Sequence, residues 1–395
     1  MGYIQEIRTK TPNSERLVEI DVRGKNLILT GGNGCGKTRL LNKIHQFLIK
    51  KIVNRENHNE NQLVSDLQNY TSMLSTTNRA SSNYEAYRSY IKTTKLKIEE
   101  TRNPPVVINK IERFVIKFHD DKALLMKFDA TRQANIKASK ASASKEDLLK
   151  QTTSQGPSAN LFEEYLVSHK TAQAYAESPS IDNDAKKAAR IESWFNKLQH
   201  DFQELFEDPT LTLKFDSKSQ AFFIKQQGKL PYRFQQLSSG FSSILSVYAD
   251  LLTKVELRSI DPHKLDGVVF IDEIDAHLHV SLQRKIFSFL DRAFPKVQFI
   301  VTTHSPFVVS SVNDAVIYDL SRLEQVEDLS LYSYDSILEG LFDVLPISEV
   351  LEEKISEISI LSREEHPNLE RIRALISQIE PNEGKLDIES FYFLK

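Results

Sequence analysis

Apolar residues along this chain fall into short runs and helical repeats, and their order predicts a fold. Leu17 to Ile20 and Asn26-Leu27-Ile28-Leu29-Thr30 read as two strands, the second apolar enough to be buried. Gly31-Gly32-Asn33-Gly34-Cys35-Gly36-Lys37-Thr38-Arg39 follows at once, and then Leu40, Leu41, Ile44, Phe47 and Leu48 at the spacing of one helical face. Residues 55–103 turn polar, with Leu63, Leu67, Tyr70, Met73 and Leu74, then Tyr84, Tyr87 and Ile91, at helical intervals around a polar turn at 78–83. They predict an inserted helical hairpin with arms of about 20 residues, or about 30 Å each. Residues 106–128 return to strand character.

Residues 134–160, rich in Ala, Ser and Lys, predict a mobile or exposed opening to a second insert, 134–204, helical from about 161 to 206. Strands are expected at 211–216 and 220–225. From Leu237 the pattern is denser: a helix at Ile244–Leu252, a buried strand at Val268–Ile271, a helix at Ser281–Ala293 and a strand at Val297–Thr302. The last stretch, 326–395, reads as a tail of short helices broken at Pro346 and Pro367.

Composition narrows the class. The chain has 395 residues, with 51 basic against 54 acidic side chains and a formal charge of −3, which excludes a wholly basic nucleic-acid coat. Its single cysteine, Cys35, excludes an intramolecular disulfide and any cysteine-clustered metal site. No apolar run approaches the roughly 20 residues a membrane span needs. The N-terminus has no basic stretch leading into an apolar one, and Glu6 stands where myristoylation wants Ser or Thr. These features predict a cytoplasmic protein without a membrane partner.

The chemistry concentrates in four places. Gly31-x-x-x-x-Gly36-Lys37-Thr38 is a complete phosphate-binding loop, with the strand before it and the helix after it that the motif requires. Glycines let successive N–H groups turn inward around phosphate oxygens, and the helix N-terminus adds its partial positive charge. Lys37 is then expected to reach the β- and γ-oxygens and Thr38 to ligate Mg²⁺. Gly31, Gly32, Asn33, Gly34, Cys35, Gly36 and Arg39 complete the expected nucleotide contacts. Cys35 lies where the backbone does the binding, with a redox role as the alternative. Val268-Val269-Phe270-Ile271-Asp272-Glu273 is an apolar strand ending in two carboxylates, Asp272 for the metal and Glu273 to polarise the attacking water. Leu237-Ser238-Ser239-Gly240-Phe241 opens a helix with Ser238 as its expected cap. Thr302-Thr303-His304-Ser305-Pro306 follows the next strand, where ligands gather in parallel sheets.

In this order the motifs resemble those of ABC-type ATPases. Ile271-Asp272-Glu273-Ile274-Asp275-Ala276-His277-Leu278-His279 and Thr303-His304-Ser305-Pro306 are similar to the OLD-like and SMC-like branch. The resemblance covers about 15–50 and 205–320. It implies an α/β fold: an ABC-type P-loop ATPase head, with a mixed central sheet flanked by helices, helical insertions and a short helical C-terminal tail. The head would comprise 1–50 and 205–325 with 106–133, the hairpin 55–103 and the second insert 134–204.

The resemblance further implies a head-to-tail dimer or higher oligomer binding ATP and Mg²⁺. Ser238, Ser239 and Gly240 would reach the partner's γ-phosphate, Glu273 would be the catalytic carboxylate, and His304 would sense the γ-phosphate. Three departures stand out. Ser239 replaces the first signature glycine, Phe241 replaces the usual Gln or Glu, and His279 stands where transporters carry an aspartate. Gln133 is the candidate Q-loop glutamine. No Toprim-like acidic set or HNH cluster is evident. The architecture therefore resembles the stand-alone ATPase subunits of Septu-type and retron-associated anti-phage systems, and less closely that of PARIS systems. This implies a partner nuclease, of HNH or Toprim type, in another chain. The alternative is an SMC- or RecF-like repair ATPase acting on DNA directly, with the lysines at 137, 140, 145 and 150 as a modest basic stretch.

Overall fold

The computed structural model describes residues 2–11, 16–139, 141–152, 157–258, 260, 264–312, 314–326, 332, 334–342, 349–363 and 368–379. The chain divides into two compact units, Met1–Ser330 and Leu331–Lys395.

The first unit is layered around a six-stranded sheet. It opens with β1 (Ile4–Lys10), β2 (Leu17–Asp21), β3 (Asn26–Thr30) and helix α1 (Lys37–Leu48), which runs into a π-helical turn at Ile49–Val53. The hairpin of α2 (Glu60–Thr76) and α3 (Ser82–Arg102) follows, then β4 (Val106–Ile108), α4 (Ile111–His119) and β5 (Ala123–Phe128). Next come α5 (Lys145–Lys150), α6 (Phe162–Glu177), α7 (Ala185–Leu205), β6 (Thr212–Asp216) and β7 (Ala221–Lys225). The unit closes with α8 (Ser239–Leu257), β8 (Asp266–Ile271), α9 (Val280–Ala293), β9 (Val297–Thr302), α10 (Pro306–Val309), β10 (Ala315–Asp319) and β11 (Glu324–Val326).

The main sheet has the order β11-β10-β3-β9-β8-β5, parallel throughout except for the antiparallel edge strand β11. Its central strands are apolar without alternation because both faces are covered: Leu27, Ile28, Leu29, Val268, Val269, Phe270, Ile271, Ile300 and Val301 are fully buried. A smaller antiparallel sheet, β2-β1-β4, packs its Ile4, Ile7, Val18 and Ile20 into the same core. Buried Gln298 joins the two sheets. Its Oε1 accepts from Ile4 N at 2.8 Å, and its Nε2 donates to Ile4 O and Lys25 O at 3.1 and 2.6 Å.

The hairpin arms, 17 and 21 residues, are capped by Asn59 and Ser81, and Tyr70 meets Tyr90 between them at 5.3 Å. Two expectations need correction. The stretch 106–128 is not continuous strand. Ile111, Phe114, Val115 and Phe118 lie at helical spacing, and α4 buries Phe114 and Phe118. The helical stretch expected at 161–206 comprises two helices, α6 and α7, the second started where Asp184 accepts from Lys187 N. The described residues of 134–152 do not stand clear of the fold: Ala134, Ile136, Ser139 and Leu148 are buried, and Ala143 N donates to Ser168 Oγ at 3.0 Å.

The second unit holds α11 (Tyr334–Phe342), α12 (Glu349–Ser362) and α13 (Leu369–Ile379), with Ile358, Leu375 and Ile379 forming a small buried cluster. The breaks expected at Pro346 and Pro367 lie outside the described residues. Among the described residues no helix is long and apolar enough to cross a membrane.

Gly267 in β8 illustrates how tightly the sheet is built. Its φ is +142°, and a Cβ there would stand 2.2 Å from Leu124 O on the adjacent β5. Gly267→Ala is expected to cost at least about 2 kcal/mol, since backbone strain and overpacking add. A shift in the urea midpoint at unchanged slope is the measurement.

Candidate nucleotide site

The phosphate loop, the acidic strand end and the histidine segment follow β3, β8 and β9, strands that lie side by side in the order β3-β9-β8 and all run the same way. Their carboxyl ends therefore open on one crevice.

The loop needs its glycines for two different reasons. Gly31 (φ +125°) is hemmed in: a Cβ would lie 2.8 Å from Ser321 Oγ and 3.0 Å from Asp319 Oδ1. Gly34 (φ +78°) and Gly36 (φ +103°) are left-handed but face open space, with nothing nearer than Leu320 Cδ2 at 4.0 Å from a Cβ on Gly36. Gly32 N donates to Ser321 Oγ at 2.8 Å, so the turn after β10 holds the loop from outside. Gly32, Asn33, Gly34, Thr38 and Arg39 are exposed, and Cys35 and Gly36 half-buried.

Lys37 is buried and folds back along the loop. Its Nζ donates to Gly31 O at 2.8 Å and Gly32 O at 3.0 Å, with Cys35 Sγ at 3.7 Å and His304 Nδ1 at 3.5 Å. Burial lowers its pKa, while Cys35, Glu273 and Asp272 oppose that shift. Thr38, in the first turn of α1, donates from Oγ1 to Asp272 Oδ1 at 3.1 Å. The same Asp272 oxygen accepts from Thr302 Oγ1 at 2.6 Å, and that hydroxyl in turn accepts from Glu273 N at 2.7 Å. Glu273 itself has a φ of +44°, an uncommon conformation for a non-glycine residue. Lys37, Thr38, Asp272, Glu273 and His304 thus form one cluster.

Around it, Thr303 Oγ1 donates to Asp275 Oδ1 at 2.5 Å, and Ser305 caps α10 by accepting from Phe307 N and Val308 N. His279 caps α9 through Nδ1. Ser238 stands at the cap position of α8 but makes no side-chain cap hydrogen bond, which corrects part of its expected role. Ser238 and Ser239 are exposed and share no hydrogen bond with the cluster among the described residues. Gly240 is needed for closeness, because a Cβ there would come 2.7 Å from His277 O. Phe241 stacks on Phe206 with centroids 4.2 Å apart and planes 8° from parallel, so the residue at this departure is held by an aromatic contact of its own.

Gln133 is exposed, whereas its neighbour Arg132 enters the site and donates to the backbone carbonyls of Asp272, Glu273 and Ile274. Arg132, Thr302 as a hydroxyl bridge and Ser321 were not read from the sequence as contributors. Only the closeness of Arg132 to the Q-loop candidate could have drawn attention to it.

The donor set fits a magnesium nucleotide. A hydroxyl and a carboxylate oxygen meet beside the loop, two hard ligands that leave the rest of an octahedron to phosphate and water. The open sides of Gly34 and Gly36 leave the loop amides room for phosphate oxygens.

A parallel sheet carrying a phosphate loop and an acidic strand end defines a P-loop ATPase domain. A family model described as "AAA domain, putative AbiEii toxin, Type IV TA system" matches residues 27–310, and the chain belongs to that family. It is 38% identical over 115 residues to the "Retron Ec83 probable ATPase" of Escherichia coli, covering 28% of this chain and 21% of that one. It is 33% identical over 137 residues to the "Septu protein PtuA" of Bacillus mycoides (strain KBAB4), covering 34% and 18%. The match thus spans about a fifth of those relatives' own lengths. Among solved structures, a Smc head bound to the C-winged helix domain of ScpA is similar at 13% identity with a TM-score of 0.39, over 82% of this chain and 96% of that one.

Burial, and next the ammonium of Lys37, lower the pKa of His304, while Asp275, Glu273 and Asp272 oppose the shift. A depressed imidazole disfavours the charged form, so the fold loses stability as pH falls below the unfolded value of about 6.5. His304 is expected to titrate by NMR below that value and to move up in Lys37→Ala. A midpoint above 6.5 would mean that the three carboxylates dominate.

Proposed function

We propose that this chain binds Mg·ATP and hydrolyses it between two heads arranged head to tail, as the ATPase subunit of an anti-phage defence complex that controls or scaffolds a separately encoded effector nuclease. The observation that carries the catalytic part is the 3.1 Å contact between Thr38 and Asp272, residues 234 apart in sequence, beside the buried Lys37.

In this reading the loop amides of residues 31–36 receive the phosphates, and Lys37 leaves the Gly31 and Gly32 carbonyls to reach the β- and γ-oxygens. Thr38 and Asp272 would hold Mg²⁺, which neutralises charge on those oxygens when bound. Glu273 takes the proton of the attacking water. Thr302 fixes it from one side, holding its N–H and the Asp272 carboxylate with a single hydroxyl. His304 lies beside Lys37, and burial disfavours its charged form, so a neutral ring could donate to or accept from a γ-phosphate oxygen or the water according to tautomer. Arg39 and Cys35 would complete the contacts of the loop with the nucleotide.

Ser238, Ser239 and Gly240 would act on the partner's nucleotide. The exposure of Ser238 and Ser239 at the N-terminus of a 19-residue helix supports this, because the first-turn amides and the serine hydroxyls are then available to a γ-phosphate across an interface. The defence role rests on the likeness to Septu and retron ATPases. No observation favours the reading in which the chain acts on DNA directly.

Glu273→Gln is expected to slow hydrolysis by roughly 100-fold or more while ATP stays bound, and to accumulate an ATP-dependent dimer in sedimentation. Lys37→Ala should abolish nucleotide binding. Full turnover in the Glu273 variant would remove that residue from the chemistry. For the partner, affinity purification from the native operon should bring down a nuclease subunit. DNA-stimulated hydrolysis with no such subunit would instead favour the repair-type ATPase.

A further inference from the structure

Glu273 sits at the end of β8 with a backbone conformation that costs energy, and its N–H side is held by Thr302. Its carbonyl side is held by Arg132. One guanidinium nitrogen donates to Asp272 O at 2.8 Å and Asp129 O at 3.1 Å, and the other donates to Glu273 O at 3.2 Å and Ile274 O at 3.1 Å. Three consecutive carbonyls of the catalytic loop thus share one planar fork, a geometry that an ammonium cannot reproduce. Burial lowers the Arg132 pKa to about 10, with Asp275, Asp272 and Glu273 opposing, so the group remains a cation at neutral pH.

The segment that carries Arg132 is tied at its other end. Ala134 N donates to Ser242 Oγ, in the first turn of α8, at 3.0 Å. Ile136 O accepts from Gln235 Nε2, on the approach to that helix, at 3.2 Å. Residues 132–136 therefore form a strap running from the backbone of Asp272–Ile274 to the turn holding Ser238, Ser239 and Gly240.

We infer that Arg132 is a positioning residue for Glu273, and that the strap 132–136 sets the catalytic carboxylate of a head by the place of that head's own serine-bearing turn. The inference rests on the proposed ATPase reading and deepens it. Whatever a partner head's γ-phosphate does to the turn at 238–240 is passed through Ser242 and Ala134 to the loop that orients Glu273. Arg132 touches no reacting atom; it acts through the backbone.

The test compares Arg132→Lys, Arg132→Met and Ser242→Ala with the unmodified chain for kcat, nucleotide affinity (a fluorescent ATP analogue) and melting temperature. Arg132→Met is expected to lower kcat roughly 100-fold, as an ångström-scale misplacement of a catalytic group does, with affinity within about threefold. Arg132→Lys should fall between, and Ser242→Ala should lose a few-fold in kcat alone. In a Glu273→Gln background, Arg132→Met should add little further loss, because the two act as one unit. Full multiplication of the two losses, or affinity falling in step with kcat, would overturn the inference. So would an unchanged kcat in Arg132→Met. Unchanged kcat in Ser242→Ala would sink the strap. Lys37→Ala, read in the same assay, must lose nucleotide; if it does not, the ATPase reading fails, whereas a fault in this inference shows in the Arg132 variants.

Discussion

The site depends on a meeting between two segments far apart in the chain, enforced by a third strand. Thr38 follows β3 and Asp272 ends β8, but these strands are not neighbours; β9 lies between them. Thr302, the last residue of β9, carries the hydroxyl that holds both Asp272 and Glu273 N. Parallel register is therefore a chemical constraint. A one-residue slip of β9 would turn Thr302 to the other face and replace it with Val301 or Thr303. The register is held by burial of nearly every side chain on the three strands and by Gln298, which pins the opposite end of β9 to β1 and to Lys25.

Around that meeting the protein keeps costly features in place by surrounding them with partners. Buried Lys37 has two carbonyls, buried Asp272 has two hydroxyls, and the left-handed Glu273 is held at both its N–H and its C=O. An unpaired charge at such depth would carry a penalty of several kcal/mol. Full hydrogen bonding makes the arrangement stable and also stiff, as the proposed alignment of a water with a phosphate would require.

The serine-bearing turn follows a different rule. It is exposed, and its local contacts explain its unusual letters in structural terms: Phe241 packs on Phe206, and Gly240 lets α8 approach His277. In the proposed dimer, a turn built on packing at its base and left open at its tip would be completed by a second molecule. Phe241 and Ser239 then alter the surroundings of that tip rather than the helix that presents it.

Much of this was legible in the letters. The phosphate loop was readable because glycine spacing, a preceding apolar strand and a following amphipathic helix are all local properties. The same holds for Asp272 and Glu273 at the end of a wholly apolar run. The helix α4 was missed because its β-branched and aromatic residues also suit a strand, and only packing of Phe114 and Phe118 against the core decides between the two. Arg132 was passed over for Gln133 because a motif names a residue type, whereas which of two adjacent side chains turns inward depends on the path of the chain after β5. By itself, the sequence determined that phosphate-binding and acidic elements exist, since those depend on neighbours within a few residues. Only the tertiary structure decided that Thr302 bridges them, that Ser321 supports the loop and that Arg132 holds the backbone of Asp272–Ile274, because each of those contacts joins residues brought together by strand order, which no local pattern contains.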